Sequence, residues 1–150
     1  MAVKLVKPIN HKKVVKITNQ DFEAKMRELR VNSDIAVAVS GGPDSLALMH
    51  LSNRYALNNN INLTVLSIDH GIRAESSKEI VWLKKIAKKN KINFYSTKLK
   101  KKINSSNTLS KARTLRYEAL SKYCNKKKIK FLLTAHHLDD EIENFLMRLI

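Results

Sequence analysis

The chain contains only one cysteine, Cys124, and no long hydrophobic run. A single cysteine cannot form a disulfide framework or a Cys-x-x-Cys metal or redox pair, and such sparse use is typical of the reducing cytoplasm. No apolar run approaches the roughly 20 residues that span a membrane. The lysine-bearing N-terminus has no continuous hydrophobic region, so we expect no signal peptide. These absences predict a cytoplasmic protein with no membrane partner.

Acidic residues are also scarce: 13 Asp and Glu stand against 29 Lys and Arg, a net charge of +16. A surplus of this size makes a nucleic acid the obvious partner. The surplus is mostly lysine and accompanies many Asn and Ile residues, as in proteins from compositionally biased genomes. Lysine runs are also often solvated surfaces. Charge alone therefore leaves both interpretations open.

Strands and helices are predicted to alternate along the chain. A length of 150 residues with 43% hydrophobic content suits one globular domain. The patterns predict helices over residues 18–30, 43–58, 75–89, 109–127 and 138–150, and strands over 35–39, 63–68, 92–95 and 129–134. Nearly continuous apolar strands between helices predict a doubly wound α/β domain, a parallel sheet with helices on both faces. Ligands of such sheets bind beyond the carboxyl ends of the strands.

A glycine loop follows the first predicted strand as Ser40-Gly41-Gly42-Pro43-Asp44-Ser45. Glycines let a phosphate approach the backbone N–H groups, and Pro43 suits the first turn of a helix whose N-terminus favours anions. The lysine of the common G-x-x-x-x-G-K-[ST] phosphate loop is missing. Asp44 instead makes sense if Mg²⁺ lies between it and the phosphates. The alternative is a tight turn with no ligand.

A second motif, Asp69-His70-Gly71, follows the second predicted strand. Its acid and imidazole can contact a nucleotide or orient a metal ion, and Gly71 permits close approach. The alternative is a capped turn before the next helix. Its position at a strand end favours a shared site with the glycine loop.

Two arginines, Arg113 and Arg116, lie three residues apart in a predicted helix and can face one side of it. Paired guanidinium groups suit a phosphate or carboxylate because each presents a rigid fork of donors. The alternative is a pair of surface salt bridges, for which Glu118 is nearby.

The fourth motif is His136-His137-Leu138-Asp139-Asp140, after the last predicted strand. Zinc would require ligands at i and i+4 of a helix or a third soft ligand, and Cys124 is not at a ligand spacing. Carboxylates in the first turn of a helix favour its dipole, so a simple cap is one interpretation. The other is a Mg²⁺ or nucleotide site with a histidine for proton transfer.

Together these motifs resemble the PP-loop ATP pyrophosphatases, whose hallmark, a strand followed by Ser-Gly-Gly-x-Asp-Ser, stands at residues 40–45. Within that superfamily the sequence is similar to the tRNA(Ile)-lysidine synthase family, whose pattern is echoed at residues 68–73, 112–117 and 134–141. The similarity runs from about residue 34 to residue 150. Asn144 departs from it, since the family usually has Thr there.

The resemblance implies a basic lead-in and N-terminal helix over residues 1–33 and a PP-loop domain over 34–150. It implies a ligase that adenylates the wobble cytidine of isoleucine tRNA, in its CAU anticodon, with ATP and releases pyrophosphate. Free L-lysine then displaces AMP to form lysidine. The implied partners are ATP, Mg²⁺, isoleucine tRNA and lysine, and a homodimer is left open.

The resemblance also implies a role for each motif residue. Nucleotide binding falls to Ser40, Gly41, Gly42, Pro43, Asp44, Ser45, Asp69 and His70. Mg²⁺ binding falls to Asp44 and Asp140. Catalytic roles fall to Asp44, Arg113, His136, Asp139 and Asp140, with the base left open between Asp139 and His136. The residues implied to contact tRNA are Arg113, Arg116, Lys100, Lys101 and Lys102. The three lysines are part of a predicted loop at 98–102.

Three other functions compete with this one. A tRNA thiolase of the same superfamily also adenylates a base but delivers sulfur, typically with several cysteines or a cluster, and here Cys124 stands alone. Amidotransferase-type relatives are disfavoured by the arginine and His-Asp motifs. An ATP-binding module without turnover would release neither AMP nor pyrophosphate.

The last predicted helix, 138–150, has no cap, glycine or proline to end it. We therefore expect the sheet to lack at least one strand and the tRNA-binding regions to lie beyond residue 150. On that expectation the 150 residues alone are inactive.

Overall fold

The computed structural model describes residues 17–69, 76–98, 108–135 and 146–148. The elements in these ranges are α1 (Asn19–Glu28), β1 (Ile35–Ala38), α2 (Pro43–Asn59), β2 (Leu63–Asp69), α3 (Ser76–Lys89), β3 (Asn93–Lys98), α4 (Thr108–Lys126), β4 (Phe131–Thr134) and β5 (Leu146–Arg148). Up to Thr134 every predicted element is present, with ends that differ by at most three residues. No helix in the described ranges has the length and apolar character that crossing a bilayer requires.

The five strands form one sheet in the order β3-β2-β1-β4-β5. β1 lies at its centre, and Ile35 is in register with Leu63 of β2 on one side and Phe131 of β4 on the other. The first four strands are parallel, which confirms the predicted fold class. β1 and β4 are almost entirely buried, as expected of strands covered on both faces.

The predicted helix over 138–150 is wrong at residues 146–148, which form β5 antiparallel to β4. Met147 pairs with Leu132, and the rest of the predicted helix lies outside the described residues. A short apolar run does not distinguish helix from strand by its periodicity. The open side of β4 decides the outcome, because its backbone N–H and C=O groups need partners.

The helices cover both faces of the sheet. Side chains alternate along each strand, so Ile35 and Val37 join a core cluster with α1, α2 and α3, whereas Ala36 joins a second cluster with Leu120 and Cys124 of α4. The crossovers through α2 and α3 run in one direction along the sheet, and the crossover through α4 returns to the other side of β1. Right-handed crossovers of opposite direction put their helices on opposite faces.

The N-terminal helix α1 begins at Asn19, one residue after its predicted start, and Thr18 is its N-cap. The Thr18 hydroxyl accepts the Asp21 backbone N–H at 3.1 Å, and the Asp21 carboxylate accepts the Thr18 backbone N–H at 2.9 Å. These reciprocal bonds form a capping box. Hydrogen bonds from the Thr18 side chain and backbone lower the pKa of the Asp21 carboxyl.

Leu133 tests the packing of the sheet. It lies in β4 opposite Val37 and is only 2% exposed. We expect Leu133→Ala to lower the free energy of unfolding in urea by about 2–5 kcal/mol, since it removes buried methyl groups and leaves a cavity. Leu57→Ala on α2 is the matched control, because Leu57 is 74% exposed and its loss should change stability by no more than about 0.5 kcal/mol. Equal effects would contradict this core assignment.

Candidate functional site: a pocket at the carboxyl edge of the sheet

The glycine loop turns the chain directly from β1 into α2. Gly41 has φ +93°, a conformation that L residues with a Cβ rarely adopt. A Cβ at Gly41 would meet no protein atom within 4 Å, so the backbone conformation, rather than a clash, requires glycine there. Gly42 is the N-cap of α2, and Pro43 is the first helical residue, as predicted. The loop therefore leads directly into the N-terminus of a 17-residue helix, which is the positive end of the helix dipole.

The Ser45 hydroxyl holds this loop together. Ser45 is 5% exposed, and its Oγ accepts the Ser40 backbone N–H at 3.3 Å and the Ser40 hydroxyl at 3.4 Å. The same Oγ donates to the Gly42 carbonyl at 2.9 Å. One buried side chain thus connects both ends of the glycine turn, which fixes the turn before any ligand binds.

A pocket opens beside the loop, at the carboxyl ends of the parallel strands. Its polar lining is Ser40, Ser45, Arg116 and Thr134. Its apolar lining is Ala38, Val39, Leu66, Ile68, Leu120 and Ala135. The crossover that leaves β1 through α2 leads to β2, away from β4, whereas β4 is reached by the crossover through α4 on the opposite face. Doubly wound sheets bind ligands at such a switch point in the strand order. An apolar floor with a few convergent polar groups suits a nucleotide.

The two arginines lie near one aromatic ring on α4. The Cζ atoms of Arg116 and Arg113 are 5.5 and 6.0 Å from the centre of the Tyr117 ring. A guanidinium group is attracted to an aromatic face at such distances. Arg116 lines the pocket with Ser40 and Ser45, whereas Arg113 is not among the lining residues. The geometry thus brings Arg116, which the sequence predicted as a tRNA contact, to the glycine loop.

Asp69 lies at the same edge of the sheet but in a neighbouring pocket. It is the last residue of β2 and is 3% exposed, and its Oδ2 is 3.6 Å from Nζ of Lys98, its partner in β3. The pocket around it is lined by Asp69, Ile80, Ser96, Thr97 and Lys98. Ile68 points to the α4 face and Asp69 to the opposite one, because successive side chains alternate. Lys98, predicted in a loop, is a strand residue.

Several predicted site residues lie outside the described residues, and their roles stay predictions: His70, Lys100, Lys101, Lys102, His136, Asp139 and Asp140. Asp44 is exposed in the first turn of α2. Among the described residues no three His, Cys, Asp or Glu side chains form a metal-binding cluster.

Sequence reasoning missed Thr134, Ile68 and Leu120 as pocket residues. For Thr134 and Ile68, the position at a predicted strand end was the available signal.

The sequence matches the PP-loop domain family over residues 10–150. The chain belongs to this family. Curated proteins similar to this PP-loop chain include the tRNA(Ile)-lysidine synthase of Rickettsia bellii (strain OSU 85-389), 48% identical over 117 residues. The tRNA(Ile)-lysidine synthase of Rickettsia typhi is 41% identical over 133 residues. These matches cover 78% and 87% of the chain but only 27% and 31% of the relatives, so the chain spans about a quarter to a third of their length.

Two solved structures share the fold of this PP-loop chain. The U34-tRNA thiolase from Methanococcus maripaludis, with its 4Fe–4S cluster, aligns with a TM-score of 0.69 and 26% identity, over 81% of the chain and 46% of the thiolase. The NMN synthetase from Francisella tularensis aligns with a TM-score of 0.59 and 11% identity, over 82% of the chain and 56% of the synthetase. At 11% identity the second likeness shows the fold alone.

Ser45 and Ser52 provide a matched test of the loop, since both are buried serines of α2. Ser45→Ala removes the hydroxyl that joins Ser40 to Gly42, so we expect the free energy of unfolding to fall by about 1 kcal/mol and ATP binding to weaken. Within the described part of the chain the Ser52 hydroxyl has no hydrogen-bond partner. Ser52→Ala should therefore leave stability unchanged or raise it.

Urea unfolding and ATP titration by calorimetry measure both effects. A Ser45→Ala variant with the stability and ATP affinity of the Ser52→Ala variant would contradict the role given to this hydroxyl.

Proposed function

We propose that this chain carries the ATP-using step of lysidine formation on isoleucine tRNA. The observation that supports this function best is the pocket that joins the Ser40–Ser45 loop and Arg116 to an apolar floor at the switch point of the sheet. An anion-binding turn beside an apolar slot fits the triphosphate and the base of ATP. The name of the relatives, tRNA(Ile)-lysidine synthase, points to isoleucine tRNA as the second substrate.

The proposed reaction has two steps. The C2 oxygen of the wobble cytidine attacks the α-phosphorus of ATP, the bond between the α- and β-phosphates breaks, and pyrophosphate leaves. The amine of free lysine then attacks C2, the bond from C2 to the AMP oxygen breaks, and AMP leaves. The amine loses a proton to a base, for which His136 and Asp139 are the proposed candidates.

The glycine loop would hold the pyrophosphate end of ATP. The φ of Gly41 and the start of α2 at Pro43 direct backbone N–H groups to the space above the loop. The positive end of a helix dipole stabilises the charge that grows on the leaving pyrophosphate. Arg116, which lines the same pocket, adds a fixed positive charge near the α-phosphate.

Mg²⁺ is part of the proposal, and the donor set near the loop fits it. Mg²⁺ in nucleotide sites usually takes one or two carboxylates together with substrate phosphates and water. Asp44 supplies one exposed carboxylate in the first turn of α2, and Asp140 is the proposed second ligand. The ion would neutralise charge on the phosphate oxygens when bound. His70, Arg113 and the lysines at 100–102 stay proposed contacts to ATP or tRNA, and a cytoplasmic location and a homodimer also stay predictions.

The decisive experiment measures transfer of labelled lysine to an isoleucine tRNA transcript by the intact protein, because the 150 residues alone are expected to be inactive. The assay is run with and without ATP. We expect ATP-dependent labelling together with release of AMP and pyrophosphate. A transcript whose wobble cytidine is replaced by uridine is the control and should take up no lysine. Pyrophosphate release without labelling would mean another nucleophile, and no release at all would mean a nucleotide-binding module without turnover.

Arg116→Gln tests the pocket in the same assay. It removes the positive charge at the α-phosphate, so we expect labelling to slow by about a hundredfold, the cost of losing one fixed transition-state contact. Arg54→Gln changes the same charge at an exposed position of α2 that is not part of the pocket, and it should keep the wild-type rate. Equal rates for the two variants would contradict the role of Arg116.

Thiolation is the second candidate function, because one solved relative is a U34-tRNA thiolase with a 4Fe–4S cluster. Thiolate groups bind clusters and attack sulfur, so a useful cysteine must be accessible and ionised. Cys124 is fully buried against α4 neighbours and β4, and burial raises the pKa of its thiol to about 11. The one cysteine of this chain is therefore unsuited to that chemistry.

Cys124 gives a direct test of this argument. At pH 8 a thiol with a raised pKa is protonated and unreactive, so we expect alkylation of native Cys124 by iodoacetamide to be much slower than in unfolded protein. Cys124→Ala should retain ATP-dependent lysine transfer. Rapid alkylation of the folded protein would contradict the argument that Cys124 is buried and protonated. Loss of transfer in a Cys124→Ala variant that still folds would contradict the argument that this cysteine takes no part in the reaction.

A further inference from the structure

The outer face of α3 is basic and carries an exposed tryptophan. Five of the fourteen residues of α3 are lysines, namely Lys78, Lys84, Lys85, Lys88 and Lys89. All five are exposed, as are Val81 (54%) and Trp82 (45%). The buried side of the helix is formed by Leu83 and Ala87. At 100° per residue, positions 78, 82, 85 and 89 follow one stripe along the opposite side.

Compositional bias does not account for this concentration of charge. The seventeen residues of α2 contain no lysine, although much of that helix is also exposed. Among the described residues no carboxylate lies within ion-pair distance of an α3 lysine, since the ion pairs there join other residues. Glu79 is the only carboxylate of α3 and stands against five lysines, which repel one another unless an anionic partner is present. The face therefore has the charge pattern of an anion-binding surface.

The stripe is also connected to the proposed active edge. α3 follows the carboxyl end of β2, and Ile80 in its second turn lines the pocket that contains Asp69 and Lys98. From Lys78 to Lys89 the helix rises about 16 Å. A ligand on this stripe would thus begin at the edge where ATP is proposed to react and would extend down the flank of the domain.

We propose that the outer face of α3 binds the backbone of the RNA substrate, with Lys78, Lys85 and Lys89 on phosphates and Trp82 stacked on an unpaired base. Lysines that track a backbone and an aromatic side chain that accepts a base are the two elements of single-strand recognition. An exposed tryptophan is otherwise costly, because its large apolar surface stays in water. The inference rests on the proposed function in taking the RNA to be isoleucine tRNA.

Trp82 is the only tryptophan of the chain, so its fluorescence reports on this face. We expect the isoleucine tRNA transcript to quench it and Lys85→Gln/Lys89→Gln to weaken binding about tenfold at 0.1 M salt, with a shallower salt dependence. Lys126→Gln/Lys127→Gln is the control: it removes the same charge from exposed residues at the end of α4, and should change binding less than twofold.

A second pair of variants separates stacking from charge. Trp82→Ala should lose at least fivefold in tRNA affinity, measured by filter binding, whereas Trp82→Phe keeps an aromatic face and should retain most of it. Urea unfolding of both variants checks that each is folded under the conditions of the binding assay, since Trp82 is 45% exposed and the rest of its surface is covered.

Three results would overturn the inference. These are tRNA binding without a change in Trp82 fluorescence, equal losses for the two lysine pairs, and quenching by anionic phosphatidylserine vesicles but not by tRNA. If the α3 variants transferred lysine at the wild-type rate with unchanged tRNA affinity, the inference about α3 would be wrong and the proposed function would stand. If tRNA bound at α3 but no lysine were transferred, the inference about α3 would stand and the proposed function would be wrong.

Discussion

The central strand β1 is hydrogen-bonded to β2 on one side and to β4 on the other, and the site depends on this double pairing. Ala38, the last residue of β1, is in register with Leu66 of β2 and with Thr134, the last residue of β4, and β2 continues to Asp69. Ser40, Ile68 and Thr134 therefore come together although they are far apart in sequence. The strand order reverses at β1, since β2 lies on one side of it and β4 on the other, and the pocket opens at the carboxyl ends of these strands.

The glycine loop makes one end of this pocket suited to an anion. Gly41 takes a backbone conformation that other residues avoid, and the Ser45 hydroxyl ties Ser40 to Gly42. These constraints are satisfied inside the protein, without a ligand. The N–H groups at the start of α2 are consequently oriented before a phosphate arrives, and little reorganisation is needed when charge develops during a reaction.

Local sequence signals were sufficient for the strands, the helices and the glycine loop, because apolar runs and the residues that interrupt them act over a few positions. They failed at residues 146–148, whose strand conformation is decided by the distant β4 edge. They placed Asp69 only at the carboxyl edge of the sheet, and Arg116 only on one side of a helix. Which pocket each residue joins depends on strand alternation and on the position of α4 over the sheet, and neither is a local property.

Ile68 and Asp69 follow each other at the end of β2, and their side chains lie on opposite faces of the sheet. Ile68 lines the pocket beside the glycine loop, on the α4 side, and Asp69 lines the pocket beside α3. Under the proposed function, the nucleotide and the RNA would reach this edge from different sides without excluding each other. Reaction between two substrates requires such separate entry with a shared endpoint, since each must be held within contact distance of the other. The uneven distribution of lysine, absent from α2 and concentrated on α3, agrees with this division.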